Sequence, residues 1–309
     1  MHLAFTLALI ALLLAPPAHA QTTAPAVEDQ QKQAAPKRGF LWEARKGERR
    51  VILLGTIHVG RADFFPPHAE VLKRLQEAEV IAVEVNAFDA KRTVEVMQRL
   101  ALYADGTPGL ETRLSDDLRK RIGGLLARSN LDPARMWRMK PWMLANTLVI
   151  LEAARLGFSP AYAQEAFLFG FAGTSGKPLV EIESIELQLG LFERVSTDVQ
   201  IAYLEQAVRG IESGAAEREV RRVVSAWENR DLAAADKVLA EMRSSSGTGE
   251  RFVVDQLFDA RHPGMLDAID RYAASGKLHA VAVGSLHFFG PSGLIEGLRS
   301  RGYTVTFVP

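Results

Sequence analysis

The sequence contains no cysteine among its 309 residues. This absence excludes disulfide bonds, so an exported form of the protein depends on its hydrophobic core for stability. It also excludes a thiolate nucleophile, a thiolate metal ligand and a lipid-modified cysteine. Any catalytic or metal-binding chemistry must therefore use histidine, carboxylate and other nitrogen or oxygen groups.

The sequence also lacks an excess of charge of either sign, with 37 Lys and Arg against 37 Asp and Glu. Proteins that bind nucleic acids usually present a basic surface to the phosphate backbone. The charge balance therefore predicts no nucleic-acid partner. No HExxH sequence is present either, and this excludes an ordinary zincin-type metalloprotease.

The apolar run at the N-terminus, Leu3 to Ala15, is too short to span a bilayer comfortably, which takes about 20 apolar residues. Ala18-His19-Ala20 follows it and fits the small-x-small pattern of a signal-peptidase site. We therefore predict a signal peptide over residues 1–20, cleavage after Ala20, and a periplasmic or secreted protein without a stable membrane span. The alternative is an uncleaved N-terminal anchor.

Residues 21–39 are rich in Ala, Gln and Pro and nearly free of large apolar side chains. Such a segment buries too little surface to offset the entropy of ordering, which predicts a flexible leader. Phe40-Leu41-Trp42 is the first apolar cluster after it. We predict that residues 40–309 form a single domain.

Short apolar runs at both ends of this domain are typical of buried strands. They are Val51–Leu54, Val80–Val85, Leu179–Ser184, Leu278–Gly284 and Tyr303–Val308. The first two flank an amphipathic helix, which is the pattern of a parallel βαβ unit. We predict an α/β fold whose central, mostly parallel sheet is formed from both ends of the chain. A large helical insertion, from about Thr93 to Leu168, covers it.

Two of these strands end in the same motif. Gly55-Thr56-Ile57-His58 and Gly284-Ser285-Leu286-His287 share the form Gly-[Thr/Ser]-[Ile/Leu]-His. Glycine permits a sharp turn at a strand end, and the carboxyl edge of a parallel sheet is where functional sites collect. The motif predicts that His58 and His287 meet there. A single histidine at a strand end is more often structural, and the repeat is what favours a site.

Two imidazoles and a carboxylate suit Zn, Mn, Fe or Co. Glu84 interrupts an apolar strand at which an unpaired charge would be costly. We therefore predict a divalent metal ion (Mn, Co, Zn or Fe) held by His58, Glu84 and His287. The alternative for Glu84 is a buried ion pair with an arginine.

Glu183 is the second carboxylate candidate, and Arg261 could stabilise an anion. Glu181 lies two places before Glu183 on the same strand face, and a solvated position is the better interpretation for Glu181. The remaining histidines of the predicted domain have no partner motif, and we interpret them as ordinary residues. They are His68, His262 and His279.

The order of these stretches resembles the TraB/GumN family, which includes the animal Tiki proteins and the bacterial pheromone-shutdown proteins. The resemblance spans about Trp42 to Val308. It is carried by LLGTIHVG, VIAVEVN, KPW, GKPLVEIESIELQL and, most specifically, VAVGSLHFFGPSGLIEGLRSRGYTV.

The resemblance implies a compact α/β domain with both Gly-x-x-His motifs and a glutamate in one site. Tiki proteins are described as metal-dependent proteases, whereas the pheromone-shutdown relatives point to peptide inactivation or sequestration. By position, His58, His287, Glu84, Glu183 and Arg261 match motif residues of the family. Two positions depart from the family pattern: His262 replaces the usual Asn after the arginine, and Glu165 stands where relatives often have Asp.

The sequence thus favours an exported metal-dependent hydrolase, and the family resemblance implies that it acts on peptides. In it, Glu183 is the general base or orients another group, and Arg261 stabilises the oxyanion. One alternative is a protein that binds a peptide or small ligand without turnover. Another is capture of haem or metal by the two histidines. The sequence predicts no oligomeric state.

Overall fold

The computed structural model describes residues 38–129 and 131–309. The predicted signal peptide, 1–20, and residues 21–37 of the predicted leader lie outside this part of the chain. Six strands form one sheet in the order β4-β3-β5-β2-β1-β6. The strands are β1 (Phe40–Lys46), β2 (Arg49–Thr56), β3 (Val80–Val83), β4 (Leu179–Glu181), β5 (His279–Gly284) and β6 (Thr304–Phe307).

Helices occupy most of the chain between β3 and β5. In chain order the α-helices are α1 (Ala69–Glu77), α2 (Ala90–Leu100), α3 (Asp116–Arg128), α4 (Pro133–Met136), α5 (Pro141–Arg155), α6 (Gln164–Ser175), α7 (Ile185–Glu193), α8 (Thr197–Glu212), α9 (Ala215–Glu228), α10 (Leu232–Ser244), α11 (Thr248–Phe252), α12 (His262–Ala274) and α13 (Leu294–Ser300).

Parallel pairing joins β4 to β3, β3 to β5 and β5 to β2, whereas β1 pairs antiparallel with both β2 and β6. The α/β fold with a mostly parallel sheet built from both ends of the chain is therefore confirmed. Thr56 lies opposite Gly284, and Val83 lies opposite both Ala282 and Glu181. This register brings four carboxyl ends to the same edge of the sheet.

Alternation along the strands gives the sheet two apolar faces. One face, with Ile52 and Ile81, packs under α1 and α6 through a small cluster that includes Leu75 and Leu168. The opposite face belongs to a much larger cluster, in which Leu53 packs with the helices between α5 and α12. The predicted helical insertion thus contributes to a core that most of the chain shares.

Two details differ from the sequence prediction. The third strand was expected to reach Ser184 but ends at Glu181, because Ser184 accepts a hydrogen bond from the Leu187 amide and caps α7. The strand predicted over Val80–Val85 ends at Val83, so Glu84 lies just beyond β3, and β5 lies between β3 and β2. Strand β5 is therefore flanked on both sides by site-bearing strands.

The helix that begins with α11 is irregular. It continues as a π-helix over Val253–Phe258 and a 3-10 turn over Asp259–Arg261 before α12 begins. π-helical segments occur often at functional sites, because the wider turn re-aims side chains. Here the irregular segment ends at Arg261.

Across residues 38–129 and 131–309, we found no helix that combines the length and apolar character needed to cross a membrane.

Candidate functional site

The two Gly-x-x-His turns lie side by side at the carboxyl edge of the sheet. A Cβ atom added to Gly284 would lie 2.9 Å from His58 Nε2, 3.5 Å from Glu84 Oε2 and 3.5 Å from His287 Cδ2. The structure therefore brings the three predicted metal ligands together around Gly284. Glycine is favoured at this position because neighbouring side chains approach its backbone closely. The backbone conformation is not the reason, since a φ of −47° is open to any residue.

Glu84 is 4% exposed, and three groups donate to its carboxylate. The Gly284 amide donates to Oε2 at 3.1 Å. Gln188 Nε2 at 2.8 Å and the Arg261 guanidinium both donate to Oε1. Burial alone would raise the pKa of Glu84, but the charge and hydrogen bond of Arg261, together with the two neighbouring histidines, outweigh burial and hold the pKa well below the usual range. Glu84 is thus ionised and fully hydrogen-bonded.

Arg261 is 8% exposed and lies between two glutamates. Its Nε and Nη2 donate to Glu183 Oε2 at 3.0 and 2.6 Å, and Nη2 also donates to Glu84. Its Nη1 donates to the Leu257 carbonyl at 3.0 Å, within the π-helix. The interpretation of Glu84 as the buried partner of an arginine is therefore correct as a contact. The same Glu84 carboxylate also lies with the two histidines around Gly284.

Glu183 reaches this cluster because β4 pairs with β3. The Glu183 amide donates to the Glu84 carbonyl at 3.0 Å, so the two glutamates sit side by side just beyond the strands. Gln188, one turn into α7, donates to both carboxylates at 2.8 Å. Glu181 points away from them to Arg92 and the Asn86 amide.

His287 is 4% exposed and has both ring nitrogens in contact with neighbours. Its Nε2 lies 3.3 Å from Arg261 Nη1, and its Nδ1 lies 3.0 Å from His262 Nε2. Its ring stacks on Phe258 with 4.5 Å between ring centroids. Burial and the nearby Arg261 charge together hold the pKa of His287 well below its ordinary value. His287 is therefore neutral at neutral pH.

His58 has a different environment. Its side chain is 14% exposed, and its Nδ1 lies 3.0 Å from Glu165 Oε1. The two Glu165 oxygens and His58 Nδ1 make no aligned hydrogen bond within the described residues, so the contact is electrostatic. Burial lowers the pKa of His58, but the charge and close contact of Glu165, together with the Glu84 charge, outweigh burial and raise the pKa above its ordinary value.

Glu165 is brought to His58 by the chain that leads into α6. The Gln164 amide donates to the Ile57 carbonyl at 3.2 Å, which ties the start of α6 to the first Gly-x-x-His turn. Glu165 follows in the first turn of α6, where the helix dipole favours a negative charge. The structure thus places at the site a residue whose role the sequence left open.

Two further site residues were not predicted from the sequence, namely Gln188 and His262. A lone glutamine on a helix has no motif that could identify it. For His262 the only signal is its position beside Arg261. By contrast, His68 caps α1 and His279 stacks on Tyr272, both away from the site.

The donor atoms at this site do not fit a metal ion as they are arranged. Both oxygens of Glu84 and both nitrogens of His287 are engaged with protein groups, whereas His58 Nε2 has no hydrogen-bond partner within the described residues. The guanidinium of Arg261 already supplies positive charge between Glu84 and His287. Within residues 38–129 and 131–309, no group of three His, Cys, Asp or Glu side chains is placed to hold a metal ion.

An apolar cavity of about 50 Å³ opens beside the two turns. Its walls combine His58, Thr56 and His287 with aliphatic side chains of α9 and α10, including Val224 and Val238. The hydroxyl of Thr56 has no hydrogen-bond partner among the described residues, although Thr56 is only 3% exposed. The cavity therefore has two imidazoles and the unpartnered Thr56 side chain on a mostly apolar wall.

Comparison with known proteins places this arrangement in context. The profile of the TraB/PrgY/gumN family matches residues 40–307. The Escherichia coli (strain K12) "Uncharacterized protein YbaP" is 25% identical over 253 residues, covering 82% of this chain and 89% of that protein. A Treponema pallidum (strain Nichols) "Uncharacterized protein" is 22% identical over 278 residues, covering 86% and 81%. No solved structure matches the chain significantly.

Proposed function

Because this chain belongs to the TraB/PrgY/gumN family, we propose that it is an exported hydrolase of peptides or small molecules with His58 as its general base. The pairing of His58 with Glu165 carries the proposal. A partly exposed imidazole with one free nitrogen, backed by a buried carboxylate, is the arrangement that activates a water molecule or a nucleophile in many hydrolases.

In the proposed reaction a water molecule lies at His58 Nε2 and attacks the substrate carbonyl carbon. The proton of that water passes to Nε2, and Glu165 stabilises the resulting imidazolium from the Nδ1 side. When the bond from carbon to the leaving nitrogen breaks, His58 returns the proton to that nitrogen. The raised pKa of His58 favours proton acceptance near neutral pH.

The cavity beside His58 supports a substrate with a small apolar group next to the scissile carbonyl. Val224 and Val238 would contact that group, and the unpartnered Thr56 hydroxyl would donate to a substrate oxygen. Arg261 is proposed as the source of positive charge for the developing oxyanion. Glu183, whose carboxylate holds Nε and Nη2 of Arg261, is proposed to position it.

The experiment is turnover of a peptide library and of small ester and amide substrates by the purified chain and three variants. His58→Ala should lower kcat/KM by about 10²–10⁴-fold, which is the usual contribution of general acid–base catalysis. Thr56→Val keeps the shape of the side chain and should lower kcat/KM less. The control His68→Asn keeps the cap of α1, away from the site, and should not change it. Turnover that survives His58→Ala would overturn the proposal.

If no substrate is turned over while a peptide or small ligand, including haem, binds at His58, the protein is a binding protein instead. The predicted metal is a separate proposal and enters no step above. Its support is the meeting of His58, Glu84 and His287 around Gly284, and ligation would require Arg261 to leave Glu84. Metal analysis of the purified chain beside His58→Ala/His287→Ala tests it, since only the parent should retain Mn, Co, Zn or Fe.

The proposed export rests on residues 1–20. Expression of the full chain, followed by N-terminal sequencing of the product, tests it. A product that begins at Gln21 is expected, and one that begins at Met1 would contradict it.

A further inference from the structure

His262 is a buried histidine with a fixed hydrogen-bond partner on each side. It is 3% exposed and is the first residue of α12. Its Nδ1 lies 2.7 Å from the Ser292 carbonyl oxygen, and its Nε2 lies 3.0 Å from His287 Nδ1. The two rings meet nearly edge to face, at 83°.

The Ser292 contact determines where His262 carries its proton. A carbonyl oxygen can only accept a hydrogen bond, so His262 Nδ1 must be the donor. In the neutral ring this Nδ1–H is the single ring N–H. His262 Nε2 therefore has a lone pair, and it accepts from His287 Nδ1.

The contact between His287 and Arg261 requires the same arrangement. The Arg261 guanidinium can only donate, and its Nη1 lies 3.3 Å from His287 Nε2. That nitrogen must therefore be the unprotonated one. A carbonyl acceptor at one end and a guanidinium donor at the other independently require a proton on Nδ1 of His287.

We propose that His262 is a positioning residue that fixes His287 as the Nδ1-protonated tautomer and keeps Nε2 as an acceptor directed into the site. The adjacent residues Arg261 and His262 thus hold the two nitrogens of one imidazole from opposite sides. Because α12 starts at His262, the start of this helix sets the spacing between the Arg261 and His262 contacts. The inference rests on contacts alone and does not depend on the proposed hydrolase activity.

The test is NMR of the full chain labelled with ¹⁵N-histidine, using long-range ¹H–¹⁵N correlations at neutral pH. The His287 signals are assigned by their loss in His287→Ala. We expect a protonated, pyrrole-type Nδ1 and an unprotonated, pyridine-type Nε2 for His287, and the same pattern for His262. A protonated Nε2 on His287 in the parent protein would overturn the proposal without any variant at His262.

Two variants test the cause. His262→Gln can place an amide oxygen near the position of Nε2 and should preserve the His287 tautomer. His262→Phe keeps a ring without an acceptor and should shift His287 toward the Nε2-protonated form. An unchanged His287 spectrum in folded His262→Phe would also overturn the proposal.

The matched control is His279→Phe, which alters a buried histidine outside the site and should leave His287 unchanged. Because the NMR readout needs no substrate, the proposed hydrolase can fail while the tautomer assignment stands. Conversely, the tautomer assignment can fail while turnover by the parent chain still supports the proposed hydrolase.

Discussion

The two Gly-x-x-His turns have the same sequence form but opposite environments. The His58 side chain is 14% exposed, pairs with the buried Glu165 carboxylate and has its pKa raised. His287 is enclosed by Arg261, His262 and Phe258 and has its pKa lowered. A motif therefore delivers an imidazole to a site, whereas the neighbours decide whether it exchanges a proton there or serves as a neutral, oriented group.

The largest expected effect comes from replacing Arg261, the buried cation beside His287. Arg261→Met keeps the apolar stem but leaves Glu84 and Glu183 without their shared cation. We expect a loss of about 3–5 kcal/mol in the free energy of unfolding, because buried carboxylates would stay uncompensated. Urea unfolding measures it. The control Arg209→Met removes an arginine that is 49% exposed and should cost less than about 1 kcal/mol. Equal losses in both variants would contradict the buried cluster.

The second-largest expected effect is on the pH dependence of stability, to which His262, behind His287, and His58 contribute with opposite signs. The pKa of His262 is lowered to about 4, so between its unfolded value of about 6.5 and that pKa the unfolded chain binds the extra proton. Stability should therefore be lost as pH falls through this window, by roughly 3 kcal/mol from this group. His58, whose pKa is raised, contributes with the opposite sign: its contribution is present below about 6.5 and is lost as pH rises through its folded pKa.

The measurement is the free energy of unfolding of the parent chain and of His262→Gln at pH 7 and pH 4. The difference between the two pH values should be smaller in His262→Gln, since glutamine does not titrate. Parallel losses in both proteins would show that His262 is not the group responsible.

A smaller effect is expected at Gly284, which lies between the two sides. In Gly284→Ala the new Cβ would lie 2.9 Å from His58 Nε2, and the imidazole can move aside. We expect about 1–2 kcal/mol of destabilisation and a larger effect on turnover, because misplacement by about 1 Å can cost about 10²-fold. Gly123→Ala, where nothing lies within 4 Å of the added Cβ, is the control. Turnover that equals the parent's would contradict the close approach.

The smallest expected effect concerns the environment of His58 alone. Glu165→Gln keeps the size of the side chain and removes its charge, so the pKa of His58 should fall toward or below its ordinary value, while His287 should not change. An NMR titration of the histidine ring protons measures both in one experiment. A His58 pKa that stays raised in Glu165→Gln would assign the shift to another group.

Five of the six strands could be predicted from the sequence because their apolar runs and glycine turns are local signals, whereas β1 was not predicted as a strand. Two such strands with the same ending, β2 and β5, already predicted that His58 and His287 meet. Contacts made by residues far apart in the chain leave no comparable signal. Gln188, for example, reaches Glu84 across 104 positions, and the insertion of β5 between β2 and β3 depends on a pairing that no single strand encodes.

By itself, the sequence determined the chemical inventory: no thiol, two Gly-x-x-His turns, and glutamates near the strand ends. It also determined the α/β class, because apolar periodicity decides which segments can be buried as strands or helices. Only the tertiary structure decided how these groups are paired. It directed Arg261 through a π-helical turn to Glu84 and Glu183, placed Glu165 behind His58, and put His262 behind His287. Charge, burial and hydrogen-bond direction are properties of neighbours in space, and those neighbours exist only once the chain has folded.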